Sequence, residues 1–192
     1  MKSISKGLLA LIIVVVVIII AAVSVFGAYN GIALAKENVD TQQGAIQTQL
    51  QRRSDLIPNL VNTVKGLSAQ EQNVIDSVTE ARAQLAGAQT MPETAAANDA
   101  LSGALSRLMV VVENYPDIKS STAYISLMDE LAGTENRIAA SRVDYNEAVK
   151  AYNNRIITFP GRLFAGMFGF EKAEYFTAPE SAQSAPEVNF QG

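Results

Sequence analysis

The stretch LLALIIVVVVIIIAAVSVF, from Leu8 to Phe26, sets the class of this 192-residue chain. It contains no charged residue, and none occurs between Lys6 and Lys36. The hydrocarbon core of a bilayer is about 30 Å thick, which a helix of about 20 apolar residues spans. A helix is also the only single segment that satisfies its own backbone hydrogen bonds there. We therefore predict a transmembrane helix that anchors the chain to a lipid bilayer.

A cleaved signal peptide is the alternative interpretation of this stretch, because Lys2 and Lys6 form a basic start and small residues follow. The apolar cores of signal peptides are typically about 7–15 residues long, which is shorter than this run. The best small-residue junction, after Ala28, places Phe26 where a cleavage site needs a small side chain. Both features favour a retained anchor over residues 1–29. The chain has no cysteine, which excludes a lipid-modified cysteine.

The direction of insertion follows from the charges that flank the span. Lys2 and Lys6 precede it, whereas the first positive charge after it, Lys36, is followed at once by Glu37. Positive charges near a span favour the cytoplasmic side. We therefore expect a single-pass protein with a cytoplasmic N-terminus and a body outside the cytoplasm.

The composition excludes several classes of function. The chain contains no His, Cys or Trp, so imidazole catalysis, cysteine nucleophiles and His or Cys zinc sites are impossible within one chain. Beyond the apolar run, 13 basic residues stand against 19 acidic ones, a balance of −6. Such a surface repels nucleic-acid phosphates and anionic headgroups. We predict no catalytic residue, no cofactor, no metal site and no nucleic-acid partner.

Apolar and small side chains recur every three or four residues after the anchor, which is the period of a helix or a coiled coil. The first series runs from Ile32 to Leu85, and we predict one long helix that ends near Gly87. Pro58 lies inside this series and removes the hydrogen bond to Ser54, so we expect a kink or an interruption there. Gly66 is a second weak point of the predicted helix.

A second helix fits the segment from Glu93 to Glu113, with Thr90 as its candidate N-cap. Pro116 ends it, because a proline disfavours helical backbone at the residue before it. The helix has an apolar side formed by alanine, leucine and valine. We therefore expect this side of the helix to be buried.

A third helix begins at Ser120 or Ser121 and runs to about Thr158, with an apolar series from Tyr124 to Phe159. Long amphipathic helices of this kind form antiparallel bundles. The predicted fold class is all-α: an N-terminal transmembrane helix followed by an elongated antiparallel helical bundle with long helices, over residues 30–160.

Residues 161–177 form an aromatic and glycine-rich segment that includes Phe164, Phe168 and Phe170. In the simpler interpretation it folds back over one end of the bundle. In the alternative it contacts the membrane interface or a neighbouring subunit, which makes these three phenylalanines candidate assembly contacts. Residues 178–192 are rich in Ala, Pro and Ser, which is typical of a flexible tail.

Two long strings, RRSDLIPNLV at 52–61 and TENRIAASRVDYNEAVKAYN at 134–153, resemble the LemA family, and the similarity extends over nearly all of the chain after the anchor. The resemblance implies a membrane-anchored helical bundle with no established catalytic activity and a poorly defined general function. Some members of the family serve magnetosome membrane biogenesis. Gln43 replaces a tryptophan usual in the family, and Gln70 a common histidine, so any function of those two rings is missing here.

The polar residues of these strings are interpreted as structural, because polar side chains on long helices pair with neighbours and fix the register. Glu135 lies on the apolar series, where its charge needs a partner, and Arg52 or Arg53 is the natural candidate. Asn59 is a candidate to bond the backbone groups that Pro58 leaves free. The full set is Arg52, Arg53, Asp55, Pro58, Asn59, Glu135, Asn136, Arg142, Tyr145 and Asn146.

Two classes of function remain. The first is a membrane-anchored helical scaffold that self-assembles at the membrane surface as a homo-oligomer. The second is an envelope adaptor or receptor module that docks another membrane or periplasmic protein. An enzyme would be restricted to carboxylate, Lys, Tyr or Ser chemistry, and no spacing in the sequence indicates one.

Overall fold

The computed structural model describes residues 6–177, and these contain helices and turns but no β-strand. The all-α prediction is thereby confirmed. The helices are α1 (Lys6–Thr63), α2 (Gln72–Gly87), α3 (Met91–Val112), α4 (Pro116–Lys119), α5 (Thr122–Ile157) and α6 (Gly161–Phe164), with a 3₁₀ turn at Ala69–Glu71.

The apolar run lies in the first half of α1. Among the described residues this is the one helix long and apolar enough to cross a membrane, and none of its most apolar stretch is buried. Phe26, for example, is 68% exposed. A continuous exposed apolar surface of this size marks a site of interaction and not a water-facing surface. The run therefore supports a membrane location, and the direction of insertion stays a prediction.

The chain divides into two compact units, each of which uses parts of α1 and α5. Unit 1 comprises Met1–Thr41 and Glu147–Ala173, and unit 2 comprises Gln42–Asn146 and Glu174–Gly192. The sequence-based boundaries at residues 29, 160 and 177 stay predictions. The predicted flexible tail, residues 178–192, lies outside the described part of the chain.

The first long helix of the body is shorter than the sequence suggested. It passes through Pro58 without a break and ends at Thr63, so the predicted helix to Gly87 is in fact two helices joined by a turn. Gly66 lies in that turn, in contact distance of the Ile118 side chain. Glycine is a poor helix former, and Val64 and Leu67 continued the apolar spacing across the break. The periodicity therefore concealed the end of the helix.

The second and third predicted helices correspond to α3 and α5. Their observed ends agree with the predicted ones within about two residues, which is the usual uncertainty of helix ends. Most of the predicted apolar positions are buried. Two positions are wrong. Ala100, predicted on the apolar side of the helix after Thr90, is exposed. Phe159, placed at the end of the α5 series, is 81% exposed, because α5 ends at Ile157 and the chain turns away. The buried series members are Ile32, Val39, Ile46, Leu50, Ile57, Leu60, Val64, Ile75, Val78, Leu85, Leu101, Leu105, Leu108, Val112, Tyr124, Leu131, Ile138, Tyr145, Val149 and Tyr152.

Thr90 is the N-cap of α3, as predicted, and forms a capping box with Glu93. The Thr90 side chain accepts a hydrogen bond from the Glu93 backbone N–H. In return, the Glu93 carboxylate accepts hydrogen bonds from the backbone N–H groups of Thr90 and Gln89. We expect Thr90→Ala to lower the free energy of unfolding by about 1 kcal/mol, because a helix donor loses its acceptor. Urea unfolding followed by circular dichroism measures this loss, and an unchanged midpoint would contradict it.

The same box sets a pH dependence. The hydrogen bonds from Gln89 and then Thr90 hold the pKa of Glu93 below its ordinary value of 4.5. A lowered pKa in the folded state adds stability above the ordinary value, which disappears as the pH falls through the lowered value. Glu93→Gln should therefore remove this contribution, so that the free energy of unfolding falls less steeply as the pH drops below 4.5.

Candidate functional site

A buried polar cluster lies in the helical core of unit 2. Arg53 of α1 is only 4% exposed, and its Nη1 donates a hydrogen bond of 2.7 Å to Oδ1 of the fully buried Asn98 on α3. The same nitrogen forms an ion pair with Oε2 of Glu135 on α5. Of the two arginines offered by the sequence, Arg53 is thus the partner of Glu135. Asn98 was not identified from the sequence, because an isolated asparagine in an alanine-rich helix gave no signal.

Several atoms of this cluster lack a hydrogen-bond partner among residues 6–177: Nε of Arg53, Nδ2 of Asn98 and Oε2 of Glu135, which makes an ion pair only. Burial lowers the pKa of Arg53, and the charges of Glu135 and then Asp99 oppose that shift. A guanidinium stays charged at neutral pH even so. The cluster links α1, α3 and α5, and its role in fixing their alignment stays a prediction.

Arg142 makes a second link between α5 and its neighbours in unit 2. Its Nη1 lies 3.6 Å from Oδ1 of Asp99 on α3. Its guanidinium carbon also lies 4.6 Å from the ring centre of Phe176, in cation–π geometry. Phe176 is 2% exposed. Arg142 therefore holds both a helix and the segment that follows Ala173.

Arg52, Asp55 and Asn136 are exposed and do not join the cluster. Arg52 pairs with Glu130 at 3.2 Å, with both side chains about half exposed. Asp55 accepts a hydrogen bond from Gln51 of its own helix. Asn136 faces outward on α5. Exposed pairs of this kind contribute little to stability.

The carbonyl that Pro58 leaves free is bonded by a residue that sequence reasoning missed. Proline has no N–H to bond the backbone oxygen of Ser54, and Nε of Arg82 on α2 donates to that oxygen at 3.0 Å. Asn59, the candidate from the sequence, lies exposed. Arg82 therefore explains why α1 passes through Pro58 and how α2 docks at that point.

Tyr145 and Asn146 of α5 hold the extended segment at the C-terminal end of unit 2. The Tyr145 hydroxyl donates to the Glu174 carbonyl at 2.8 Å. The Asn146 side chain donates to the Phe176 carbonyl at 3.0 Å and accepts from the Phe176 N–H at 2.9 Å. One amide thus bonds both backbone groups of one residue, as a neighbouring β-strand would. We call this arrangement the Asn146 clasp.

The same arrangement recurs in unit 1, seven residues along α5. The Tyr152 hydroxyl donates to the Glu171 carbonyl at 2.8 Å, and Asn153 exchanges two hydrogen bonds of 2.9 Å with the backbone of Ala173. We call it the Asn153 clasp. Because the bonds are made to backbone, each clasp recognises an extended chain and not particular side chains.

Tyr152 makes the Asn153 clasp sensitive to alkali. Burial, with smaller contributions from the charges of Asp40 and Glu171, raises the pKa of Tyr152 above its ordinary value of 10.0. A raised tyrosine pKa stabilises the fold below the ordinary value, and this contribution falls as the pH rises through the folded value. Burial and the charge of Glu113 also raise the pKa of Tyr124. We therefore expect an ultraviolet titration to show Tyr124 and Tyr152 ionising late, with loosening of the clasp as Tyr152 ionises. Tyr152→Phe should remove one of the two late ionisations, and a titration unchanged by this substitution would contradict the assignment.

The aromatic segment folds against α1 within unit 1. The ring of Tyr29 contacts Phe168 edge-on, with centroids 5.0 Å apart, and Phe170 at 5.6 Å. Phe164 is half-buried. Gly169 has φ +72°, in the left-handed region, which allows the chain to turn between the two phenylalanines. Two of the three candidate assembly contacts thus pack within their own chain.

The chemistry available to these arrangements is recognition and alignment. The polar cluster contains no nucleophile with an adjacent base. Within residues 6–177, no three acidic side chains come together in a way that could hold a metal ion. The geometry provides the polar cluster of Arg53, Asn98 and Glu135 in unit 2 and one backbone clasp in each unit.

Comparison with known proteins assigns the chain to a family. Residues 42–190 match the model of the LemA family. Magnetosome protein MamQ 1 of Paramagnetospirillum magneticum is 30% identical over 174 residues, a match that covers 77% of this chain and 64% of that protein. Protein LemA of Metamycoplasma hominis is 25% identical over 158 residues, covering 80% of this chain and 71% of its own length.

The match extends over less than two thirds of the magnetosome relative, so that protein has further sequence without a counterpart in the alignment. Neither relative's name is that of an enzyme. The resemblance seen in the strings at 52–61 and 134–153 is confirmed by the family match, which contains both strings. This chain belongs to the LemA family.

Proposed function

We propose that the chain is a membrane-anchored helical scaffold that self-assembles at the membrane surface. The observation that carries the proposal is an exposed series on α5 in unit 2, which we call the outer seam: Ala132, Asn136, Ala139 and Val143. Val143 is 57% exposed although it is a large aliphatic residue. The spacing of four, three and four residues is that of the contact positions of a coiled coil.

The chemistry of the outer seam suits lateral contact between copies. Alanines at contact positions permit close approach of two helices, and a single asparagine at such a position fixes register at some cost in stability. Ile125, one heptad before Ala132, extends the apolar surface, whereas Asp129 interrupts it with a charge. The seam is therefore short, and we expect each contact to be weak by itself.

The anchor strengthens such a weak contact. Copies inserted in the same direction present their α5 helices in parallel, so that a seam position faces the same position on its neighbour. Confinement of two partners raises their effective concentration, to about millimolar for short flexible tethers. Phe168 and Phe170 already contact Tyr29 of their own chain, so we place the primary contact on the seam.

The test compares seam and off-seam charges in the full chain. Ala132→Glu with Ala139→Glu places carboxylates on the seam, where like charges of two copies repel. Ala123→Glu with Ala151→Glu adds the same charges at exposed α5 positions outside the seam, since neither position continues its spacing of three and four residues. Subunit counting by photobleaching in bilayers measures the number of copies per particle.

We expect the wild-type chain and the off-seam variant to form particles of several copies, and the seam variant to shift toward single copies with unchanged helix content. A wild-type chain that stays single over a wide range of protein-to-lipid ratios would refute self-assembly. The alternative, an envelope adaptor that docks another membrane or periplasmic protein, would then take its place.

A further inference from the structure

The turn between α5 and α6 lies beside the end of the apolar run, within unit 1. A groove of about 420 Å³ separates them and includes Ser24 and Gly27 of α1. Ser24 belongs to the apolar run itself. The turn therefore lies at the level of the last residues of the apolar run. The other lining residues are Ala28, Gly31, Ile32, Arg155, Thr158, Phe159, Pro160 and Gly161.

Close contacts fix the turn at this level. A Cβ added to Gly31 would lie 2.6 Å from Nη1 of Arg155, so the guanidinium crosses α1 where glycine leaves room. A Cβ added to Gly161 would lie 1.9 Å from the Arg155 carbonyl oxygen and 3.4 Å from the Ile32 side chain. The rings of Phe168 and Phe170 against Tyr29 hold the following segment to the same part of α1.

Three large apolar side chains of this region are not covered by the protein. Phe159 is 81% exposed, Leu163 is 62% exposed and Met167 is 74% exposed. They recur every four residues through the turn and α6. Phe159 lines the groove beside Ser24, Gly27 and Ala28 of the anchor, so an exposed apolar side chain follows the apolar surface of the anchor at that point.

The charge of the region is opposite to that of the rest of the body. Residues 155–170 contain Arg155 and Arg162, both exposed, and no acidic residue. Basic groups beside apolar side chains are typical of segments that lie in the membrane interface, with the apolar face about 5–10 Å into the headgroup and acyl boundary. Guanidinium groups bind lipid phosphates by bidentate hydrogen bonds.

We propose that this region is a second membrane contact: Phe159, Leu163 and Met167 insert into the lipid interface beside the anchor, and Arg155 and Arg162 bind lipid phosphates. The partner is the bilayer itself. This contact fixes the tilt and rotation of unit 1 relative to the bilayer, and it is independent of whether copies associate along the outer seam.

The test uses the absence of tryptophan from the chain, which makes an introduced indole the only one. The full-length Leu163→Trp variant is reconstituted into phosphatidylcholine vesicles whose acyl chains carry bromine near the headgroup, or none. We expect short-wavelength emission and loss of most of the fluorescence in the brominated vesicles. Circular dichroism should show the helix content of the wild-type chain, because Leu163 is exposed.

The matched control is Ala151→Trp, an exposed position of α5 in the same unit. Its neighbour Tyr152 lies near enough to Asp40 for the carboxylate to affect its pKa, whereas Arg155 meets α1 at Gly31, close to the apolar run. Position 151 on α5 therefore lies beside a part of α1 that is farther from the apolar run than the part beside Arg155. We expect long-wavelength emission there and no quenching by bromine.

Two results would overturn the proposal. Long-wavelength, unquenched emission from Leu163→Trp would mean that the region faces water. Short-wavelength emission that bromine does not quench would mean that another protein, such as a second copy of the chain, covers it.

Discussion

Arg53→Ala is expected to lower the free energy of unfolding by about 3 kcal/mol. Arg53 is only 4% exposed, so the substitution removes a buried side chain from the core. It also removes the partner of both Asn98 and Glu135. Breaking a fully buried ion pair costs about 3–5 kcal/mol. We expect the lower end of that range, because the Glu135 side chain is 43% exposed and water screens part of its charge. Urea unfolding in detergent, followed by circular dichroism, measures the change.

The adjacent arginine supplies the control. Arg52 also pairs with a carboxylate of α5, but its side chain is 52% exposed and that of Glu130 is 50% exposed. We expect Arg52→Ala to change the stability by less than about 1 kcal/mol. Equal effects of the two substitutions would show that burial of Arg53 does not matter. They would refute the proposed role of the polar cluster in stabilising the packing of α1, α3 and α5.

Asn153→Ala is expected to release the extended segment in unit 1. It removes two hydrogen bonds with the backbone of Ala173, each worth about 1 kcal/mol. Lys172 is exposed between two clasped residues, so trypsin can cleave after it only when the clasp opens. A loss of about 2 kcal/mol should therefore speed this cleavage about 30-fold. Mass spectrometry of the released C-terminal peptide gives the rate.

Asn154→Ala is the matched control, since Asn154 is the next residue on α5 but is exposed. Its cleavage rate at Lys172 should equal that of the wild-type chain. Acceleration by both substitutions would mean that general destabilisation of α5, and not loss of the clasp, controls the opening.

The helices could be predicted where periodicity, caps and prolines agreed. The apolar series from Tyr124 to Tyr152 is buried as its spacing indicated, and Thr90 caps α3 because the Thr-x-x-Glu box is a local signal. Gly66 indicated a weak point, but the helix was still predicted to continue past Thr63, because the spacing of apolar residues continued in phase through the turn. Periodicity shows which face is apolar but does not show where the backbone stops being helical.

The partners of the polar residues were harder to predict. Glu135 needed a cation, and the sequence narrowed the choice to Arg52 or Arg53 without deciding between adjacent positions. Asn98 and Arg82 act across helices, and nothing in their local sequence indicates the group that they bond. Asn153 was not identified from the sequence although Tyr-Asn recurs after seven residues, because the segment that it bonds has no periodic pattern.

The exposure of Phe159 shows a further limit of sequence patterns. The residue continues the apolar series of α5, yet it lies beyond the end of the helix and outside the core. An apolar residue that follows a helix in phase can belong either to the core or to a second surface. Only the position of the turn beside the anchor distinguishes the two.

Self-assembly along the outer seam is tested most directly by cysteine cross-linking, because the chain has no cysteine of its own. Disulfides form when two Cα atoms lie within about 4.4–6.8 Å. In bilayers at low protein density, Ala139→Cys should form covalent dimers rapidly on mild oxidation, because position 139 faces itself in a parallel pair. Ala151→Cys, exposed on the same helix but off the seam, should remain monomeric. Equal cross-linking at both positions, or none at position 139, would contradict the account.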